Sequence, residues 1–334
     1  MLKYFNYTNL QTTYWYQEPR TKNQEPRLNP DSFKNSSRGY KFVAIHSTIT
    51  LIYRQQITDN RQNMEEFSLK GKVIIVTGGT GILGDSFIKG IVKAGGSVGI
   101  LGRNKDIANE RADAINKAGG RAVALIADAM DEAQLIDAKN KVLDTFGRID
   151  GLVNGAGGNQ PHGVLLPGDD IFKMNLDGMK RVMDLNTWGT LIPTQIFGEA
   201  MVNSVEKGSI VNISSMNSKR AITRVLGYNM GKAAVDCYNQ WFAVELANRY
   251  GDRIRMNALA PGFFLTEQNR NLLTNPDGSF TDRGEKVIRN TPFKRFGHPD
   301  ELQGALVWLL SDASKFVTGS MVCVDGGFSI FAGV

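Results

Sequence analysis

The feature that most constrains the fold is an alternation of short apolar runs with amphipathic stretches, which begins at Val73 and continues almost to the end of the chain. Short runs rich in Val and Ile are typical of parallel strands buried on both faces, and the stretches between them follow the helical period. The pattern predicts strands near 73–77, 97–101, 121–126, 150–153, 209–213, 254–259 and 321–324. It predicts helices near 83–94, 104–118, 131–146, 176–185, 187–205, 227–249 and 299–311. The sequence therefore predicts an α/β fold, a single doubly wound Rossmann domain with a seven-stranded parallel sheet.

Residues 1–63 have a different character, because they are rich in Asn, Gln, Thr, Tyr and Arg and show no sustained periodicity. We expect a disordered N-terminal extension or a mis-assigned start there, followed by one domain over 64–334 that begins at Met64. The extension holds nine Lys and Arg against four acidic residues, which is +5 of the net charge of +6. The rest of the chain is nearly neutral, so no nucleic-acid partner is expected.

The sequence predicts neither a membrane-spanning segment nor a metal site. No run of eighteen apolar residues is present, so no membrane partner is expected. Cys237 and Cys323 form no CxxC pair, and the three histidines have no metal-ligand spacing, so no metal is predicted. The two cysteines are expected to be buried thiols in a reducing compartment, which favours a cytoplasmic location.

A glycine-rich turn directly follows the first predicted strand and leads into a helix. Glycines let the backbone turn tightly and let amide groups approach a pyrophosphate, whose charge is stabilised at a helix N-terminus. The candidate cofactor-binding residues of this turn are Gly78, Gly79, Gly81, Ile82 and Gly84. The second predicted strand ends at Arg103 and Asn104, without the acidic residue that binds the ribose hydroxyls of NAD. Both are candidate cofactor contacts. The guanidinium favours the 2′-phosphate of NADP, while an arginine stacked on adenine would serve NAD equally well.

Several short motifs occur in the order found in one protein family. They are TGGTGILG at 77–84, Asp128 after the third strand, NGAG at 154–157, Asn186, NISS at 212–215, YNMGK at 228–232, PGFFLT at 261–266 and VDGG at 324–327. From about Leu69 to Gly327 the chain resembles the short-chain dehydrogenase/reductase family, apart from Ile82, which stands where the family has a glycine. The resemblance implies an NAD(P)-dependent oxidoreductase acting on a CH–OH group. It also implies further cofactor contacts at Asp128, Ala129, Asn154, Ala156, Tyr228, Lys232, Pro261, Gly262 and Thr266.

The same resemblance implies a catalytic tetrad of Asn186, Ser215, Tyr228 and Lys232, with Tyr228 as the general acid/base. Tyr228 and Lys232 are four residues apart in a predicted helix and so share one face. A neighbouring ammonium should lower the pKa of the phenol, and Ser215 can donate to the substrate oxygen. By family analogy, Asn186 holds a water that passes protons to the lysine. In the other interpretation, Ser215 is a helix cap, Asn186 is the N-cap of a helix over 187–205 and Lys232 is a solvated charge.

Longer segments point to one subgroup of the family. They are NGAGGN at 154–159, LNTWGTLIPTQIFG at 185–198, ISSMNSKRAITRV at 213–225, APGFFLTEQNR at 260–270 and VDGGFSIFAGV at 324–334. These segments resemble those of D-mannonate oxidoreductases, also called fructuronate reductases, which implies carbohydrate metabolism and interconversion of D-fructuronate and D-mannonate. Such a sugar-acid substrate needs a cation for its carboxylate and amide or carboxylate groups for its hydroxyls. The candidate substrate-binding residues are Asn159, Ser215, Asn217, Gln268 and Arg270.

Other functions stay open at this point. A sugar-acid or polyol relative such as gluconate 5-dehydrogenase is the next candidate, and a 3-oxoacyl-carrier reductase follows. A nucleotide-sensing module without turnover would have no need of the complete tetrad. The predicted helices over 187–205 and 227–249 carry apolar residues on more than one face, so we expect a homotetramer built through them, as the resemblance also implies.

Overall fold

The computed structural model describes residues 65–266 and 269–333, and in this part of the chain seven parallel strands form one sheet. The strands in chain order are β1 (Val73–Thr77), β2 (Ser97–Gly102), β3 (Ala122–Ile126), β4 (Gly151–Asn154), β5 (Gly208–Ile213), β6 (Ile254–Pro261) and β7 (Met321–Val324). Their order across the sheet is β3-β2-β1-β4-β5-β6-β7. The predicted α/β Rossmann-type fold with seven parallel strands is confirmed. The predicted extension over 1–63 lies outside the described residues.

Helices cover both faces of the sheet. Those of the described chain are α1 (Ile82–Lys93), α2 (Lys105–Lys117), α3 (Glu132–Phe146), α4 (Leu176–Ser204), α5 (Leu226–Tyr250), α6 (Arg270–Leu273), α7 (Asp282–Asn290) and α8 (Gln303–Leu310). One buried apolar cluster joins the sheet to α1, α2 and α8, and a second joins it to α3, α4 and α5. The two layers are what a doubly wound domain requires.

The first strand explains why the sequence shows continuous apolar runs. All of β1 is buried. Ile74 and Val76 belong to one core cluster, while Val73 and Ile75 belong to the other. Because β1 pairs with β2 on one side and with β4 on the other, the strand order reverses there. A crevice therefore opens at the carboxyl ends of β1 and β4, where open α/β sheets bind their ligands.

The structure differs from the sequence prediction at one long helix. Two helices were predicted, over 176–185 and 187–205, whereas α4 runs unbroken and carries Pro193 inside it. Its N-cap is Asn175, which accepts from Gly178 N at 2.9 Å. Asn186 is therefore no N-cap. Its side chain forms hydrogen bonds with the main chain of Gly158 and Val182 instead, so this polar residue can lie in the middle of a helix.

Two further expectations were incomplete or wrong. The segment between β6 and α8 contains α6 and α7, which the pattern did not predict. Cys237 and Cys323 are exposed rather than buried, because one lies on an outward position of α5 and the other on the edge strand β7. Within residues 65–266 and 269–333, none of the helices is long and apolar enough to cross a membrane.

Candidate active site

The glycine-rich turn connects β1 to α1 with close backbone contacts. Gly78 has φ of +67°, a value that favours glycine. A Cβ atom on Gly84 would lie 2.2 Å from the carbonyl oxygen of Gly78, so only glycine lets the helix approach the turn this closely. Gly81 is the N-cap of α1, and it provides no side chain to satisfy the first amides of the helix, which begins at Ile82. These amides and the positive end of the helix dipole fit the pyrophosphate of a dinucleotide.

An arginine that the sequence analysis missed supports this turn from α2. Arg111 donates to Gly79 O at 2.5 Å and to Gly81 O at 3.0 Å. Its Nε atom also lies 3.3 Å from the carboxylate of Asp85 in the first turn of α1. By donating to these two carbonyl oxygens, the guanidinium holds the backbone of the turn in this orientation. No local signal could have found this residue, because it lies about one helix and one strand further along the chain.

The end of β2 carries the candidate residues for the adenosine end of the cofactor. The Arg103 side chain is 77% exposed, and its Nη1 atom lies 3.6 Å from the Asp128 carboxylate. Asn104 is the N-cap of α2, where its Oδ1 atom accepts from Ile107 N at 3.1 Å. Asp128 accepts from Met130 N at 2.9 Å. Arg103 is thus available to a ligand, while Asn104 and Asp128 already have local structural roles.

The loop after β4 is fixed by buried hydrogen bonds. Asn154 is 1% exposed, and its Nδ2 atom donates to Thr194 Oγ1 at 2.8 Å and to Asn212 Oδ1 at 2.9 Å. Ala156 N donates to Thr77 Oγ1 at 3.1 Å. The two predicted residues therefore hold the floor of the crevice in place, and a direct cofactor contact for either stays a prediction.

Asn186 connects α4 to the same loop. It is fully buried, and its Nδ2 atom donates to Gly158 O and to Val182 O, both at 2.8 Å. Its Oδ1 atom accepts from Gly158 N at 3.0 Å. A Cβ atom on Gly157 would lie 2.7 Å from this oxygen and 3.4 Å from Lys232 Nζ, so only glycine fits between the loop and these two side chains. Both side-chain donors of Asn186 are thus used by protein carbonyls, and its part in proton transfer stays a prediction.

Tyr228 and Lys232 lie on one face of α5, as their spacing predicted. Lys232 is 4% exposed, donates to Ile213 O at 2.7 Å, and its Nζ atom lies 5.6 Å from the centroid of the Tyr228 ring. Burial lowers the pKa of Lys232 to about 8, although the charge of Asp236 acts in the opposite direction. Lys232 is therefore not a solvated charge.

The expected lowering of the tyrosine pKa is wrong for this structure. Burial raises the pKa of Tyr228, and a hydrogen bond with Ser215 opposes the shift only in part. The physical reason is that removal of the phenol from water disfavours its anion, while the Lys232 ammonium lies over the ring and donates to the main chain. A protonated phenol at neutral pH is the form that a general acid needs.

A chain of amide side chains continues from Ser215. Its Oγ atom accepts from Asn217 N at 3.2 Å, so Ser215 also caps a short helical turn, as one interpretation had proposed. Asn217 Nδ2 donates to Asn229 Oδ1 at 2.7 Å, and Asn229 donates to Ile222 O at 2.8 Å. Asn229 was not among the predicted residues, although its place beside Tyr228 was a signal for it.

A cleft of about 210 Å³ brings many of the predicted residues together. The predicted residues that line it are Asn159, Ser215, Asn217, Tyr228, Pro261, Gly262 and Thr266. Arg270 is exposed and is not part of the lining, while Gln268 lies outside the described residues. The lining also contains Asn269 and Arg283, which were not among the predicted substrate-binding residues.

A larger groove of about 1130 Å³ lies at the opposite end of the strands. Its lining includes Lys72, Arg148, Asp150 and Asp312, and contains none of the predicted site residues. Arg148 is bonded to Asp150 at 2.5 Å, and Lys72 to Asp312 at 2.6 Å. Because these charges already pair with each other, the smaller cleft beside Tyr228 is the better candidate despite its size.

A turn shaped for a pyrophosphate, opening beside a protonated tyrosine and a buried lysine, is the arrangement of a nicotinamide-dependent oxidoreductase. Comparison with known proteins agrees with this class. Residues 82–329 match the family model described as enoyl-(acyl carrier protein) reductase. The uncharacterized oxidoreductase UxuB of Bacillus subtilis is 39% identical over 276 residues, which is 80% of this chain and 98% of that protein.

Solved structures resemble the chain over the same extent. A candidate D-mannonate oxidoreductase from Haemophilus influenzae with bound NAD is 37% identical, with a TM-score of 0.73, and the match covers 80% of this chain and 98% of that one. A gluconate 5-dehydrogenase from Burkholderia cenocepacia in complex with NADP and tartrate is 31% identical, with a TM-score of 0.70 and the same coverage. The chain belongs to the short-chain dehydrogenase/reductase family, and it is an NAD(P)-dependent oxidoreductase.

Proposed function

We propose that the protein reduces a small hydroxylated keto acid, with D-fructuronate and D-mannonate as the substrate pair. The observation that carries this proposal is the set of amide and hydroxyl side chains that lie among apolar residues in the lining of the small cleft beside Tyr228. Asn159, Ser215 and Asn217 carry side-chain groups of the kind that accept hydrogen bonds from, and donate them to, the hydroxyls of such a substrate. The related Haemophilus influenzae protein supports the choice of substrate pair.

The proposed chemistry assigns a role to each side chain at the cleft. The bound reduced nicotinamide supplies the hydride. Tyr228, held protonated by burial, donates its proton to the substrate carbonyl oxygen. The Ser215 hydroxyl donates a hydrogen bond to the same oxygen as negative charge develops. Lys232 contributes a positive charge and hydrogen-bond donors beside Tyr228. Asn186 holds the loop after β4 in place through its two hydrogen bonds to Gly158.

The cofactor preference depends on the end of β2. We propose that NADP is preferred and that NAD is also accepted, since Arg103 is exposed and can pair with a 2′-phosphate. The Asp128 carboxylate, 3.6 Å from Arg103, offsets part of that positive charge and limits the preference. The relatives with bound NAD and with bound NADP support use of both.

A gluconate 5-dehydrogenase-like reaction is the second candidate. The Burkholderia cenocepacia relative supports it, because tartrate in that structure is a hydroxylated carboxylate. A 3-oxoacyl-carrier reductase is third, and the description of the matching family model supports it. An acyl chain on its carrier would need an open apolar groove, whereas the cleft beside Tyr228 is small and combines apolar side chains with several amides.

One screen separates these reactions. The purified full chain is assayed with D-fructuronate, 5-ketogluconate and acetoacetyl thioesters, each with NADH and with NADPH. We expect the highest kcat/KM with D-fructuronate. Preference for 5-ketogluconate would select the second candidate, and activity confined to the thioesters would contradict the sugar-acid proposal.

Assembly and location are also proposals. The outward faces of α4 and α5 expose large apolar side chains, with Trp188 at 50%, Trp241 at 60% and Val244 at 59% exposure. Phe197 and Leu246, which lie on the same two helices, are buried in the core. We propose a homotetramer built through the exposed faces and a cytoplasmic location. We also propose that residues 64–334 form the catalytic domain.

A further inference from the structure

One wall of the cleft carries an arginine that the chemistry above does not use. Arg283 lines the cleft together with Tyr228 and Asn217. It is the second residue of α7 and lies in a segment that the sequence pattern left without an assigned role. The only hydrogen bond of its side chain within the described residues is a long one, from Nη2 to Thr223 O at 3.4 Å.

The backbone that carries Arg283 is held tightly against the end of α6. Thr281 Oγ1 donates to Leu272 O at 2.7 Å and accepts from Gly284 N at 3.1 Å. A Cβ atom on Gly284 would lie 2.2 Å from Leu273 O, so only glycine allows this approach. The Arg283 side chain therefore starts from a fixed point, which is what a binding group requires.

The charge of Arg283 has no counterion over residues 65–266 and 269–333, where it forms no ion pair with a carboxylate. Burial lowers the pKa of Arg283, and the positive charge of Arg224 lowers it further. Two half-buried guanidinium groups that repel each other raise the energy of the folded protein. An anion bound to Arg283 would offset both the repulsion and the desolvation.

Arg224 is placed by an unusual backbone conformation. Its φ is +79°, a value that residues other than glycine rarely adopt. Its carbonyl accepts from Leu165 N at 2.8 Å, and its Nε atom donates to Leu165 O at 3.0 Å. The strain and the two bonds fix the second cation near the first, while its remaining donors have no partner in the described chain.

We propose that Arg283 binds the carboxylate of the substrate and that the charge of Arg224 adds to the positive potential at Arg283. This inference rests on the proposed function, since it assumes a hydroxy or keto acid at the cleft. Arg270, the one cation among the predicted substrate-binding residues, is exposed and outside the lining, so Arg283 takes its place. The same cation would reject uncharged ketoses, because a desolvated guanidinium without an anion is left unpaired.

Binding to a complex that cannot turn over tests the proposal directly. D-Mannonate is titrated calorimetrically into the full chain saturated with NADH, and mannitol is titrated as its uncharged counterpart. The variants are Arg283→Gln and Arg283→Lys, with Arg289→Gln as the matched control, since Arg289 is exposed on the same helix and outside the cleft. NADH affinity and Tm are measured for each variant to establish that it is folded.

We expect Arg283→Gln to weaken mannonate binding about 10- to 100-fold, as for a charge-assisted bond, and to leave mannitol binding at or above the parental level. The mannonate affinity of Arg283→Lys should lie between those of the parent and Arg283→Gln, because lysine keeps the charge and loses the bidentate geometry. Arg289→Gln should behave as the parent. Arg283→Gln with parental affinity for mannonate, or with equal losses for mannonate and mannitol, overturns the inference.

Binding of other hydroxy acids by the parent distinguishes a wrong substrate pair from a wrong role for Arg283. If the parent binds gluconate or tartrate but not mannonate, the substrate pair is wrong. Loss of that binding in Arg283→Gln alone would then still support Arg283 as the carboxylate anchor. If the parent binds none of these hydroxy acids, the inference is overturned together with the proposed function.

Discussion

Deprotonation of Lys232 should set the upper pH limit for use of the cofactor. Burial lowers the pKa of this lysine from 10.5 to about 8, so the side chain is charged below that pH and neutral above it. The value of kcat/KM for the cofactor reports groups of the free protein. It should be level at low pH and fall about tenfold for each pH unit above the pKa of Lys232. Tyr228 does not produce this fall, because burial raises the pKa of its phenol.

Asp236 provides the perturbation that tests the cause. It lies one turn beyond Lys232 in α5, and its charge raises the lysine pKa against the effect of burial. Ser214 donates to one carboxylate oxygen of Asp236, while the other oxygen has no hydrogen-bond partner in the described chain. Asp236→Asn keeps the shape and one acceptor and removes the charge. The midpoint of the profile should therefore move below about 8.

The assay is steady-state kcat/KM for NADH and NADPH between about pH 6 and pH 10 at constant ionic strength, since salt screens exposed charges. Lys219→Gln is the control, because Lys219 lies 4.0 Å from Asp236 but is half exposed and should leave the midpoint nearly unchanged. If kcat/KM stays level up to about pH 10, the assignment of the alkaline decrease to Lys232 is refuted. An unchanged or higher midpoint in Asp236→Asn would refute the role of the carboxylate.

Four further outcomes are expected. Tyr228→Phe should lower kcat by about 10²–10⁴-fold with NADH affinity, measured by fluorescence, almost unchanged, and parental turnover would contradict its role as the acid. Arg103→Ala should raise KM for NADPH more than KM for NADH, and equal effects would mean that Arg103 does not bind the 2′-phosphate. A chain that starts at Met64 should keep its activity and Tm, whereas loss of folding would make the first 63 residues part of the domain. Trp241→Glu should reduce the mass found by light scattering, and a parent that is monomeric at micromolar concentration would contradict the proposed tetramer.

The order of elements could be predicted because it depends on local patterns. Runs such as Val73–Thr77 are apolar without alternation, since both faces of the strand are covered, and the structure confirms this strand and its six parallel companions. The spacing of Tyr228 and Lys232 also needed only the period of a helix. Helix continuity through Asn186 was not predictable, because the contacts that satisfy its side chain come from Gly158 in a distant loop.

The sequence by itself determined the fold class, the glycine-rich turn and the tyrosine–lysine pair, because each depends on neighbours within a few residues. Only the tertiary structure decided which charges face the cleft. Arg270 and Arg283 look equally available in the sequence, yet the close packing of α7 on the end of α6 puts Arg283 in the lining and leaves Arg270 exposed. The pKa of Tyr228 was decided in the same way, because desolvation depends on everything that surrounds the phenol and not on the lysine four residues away.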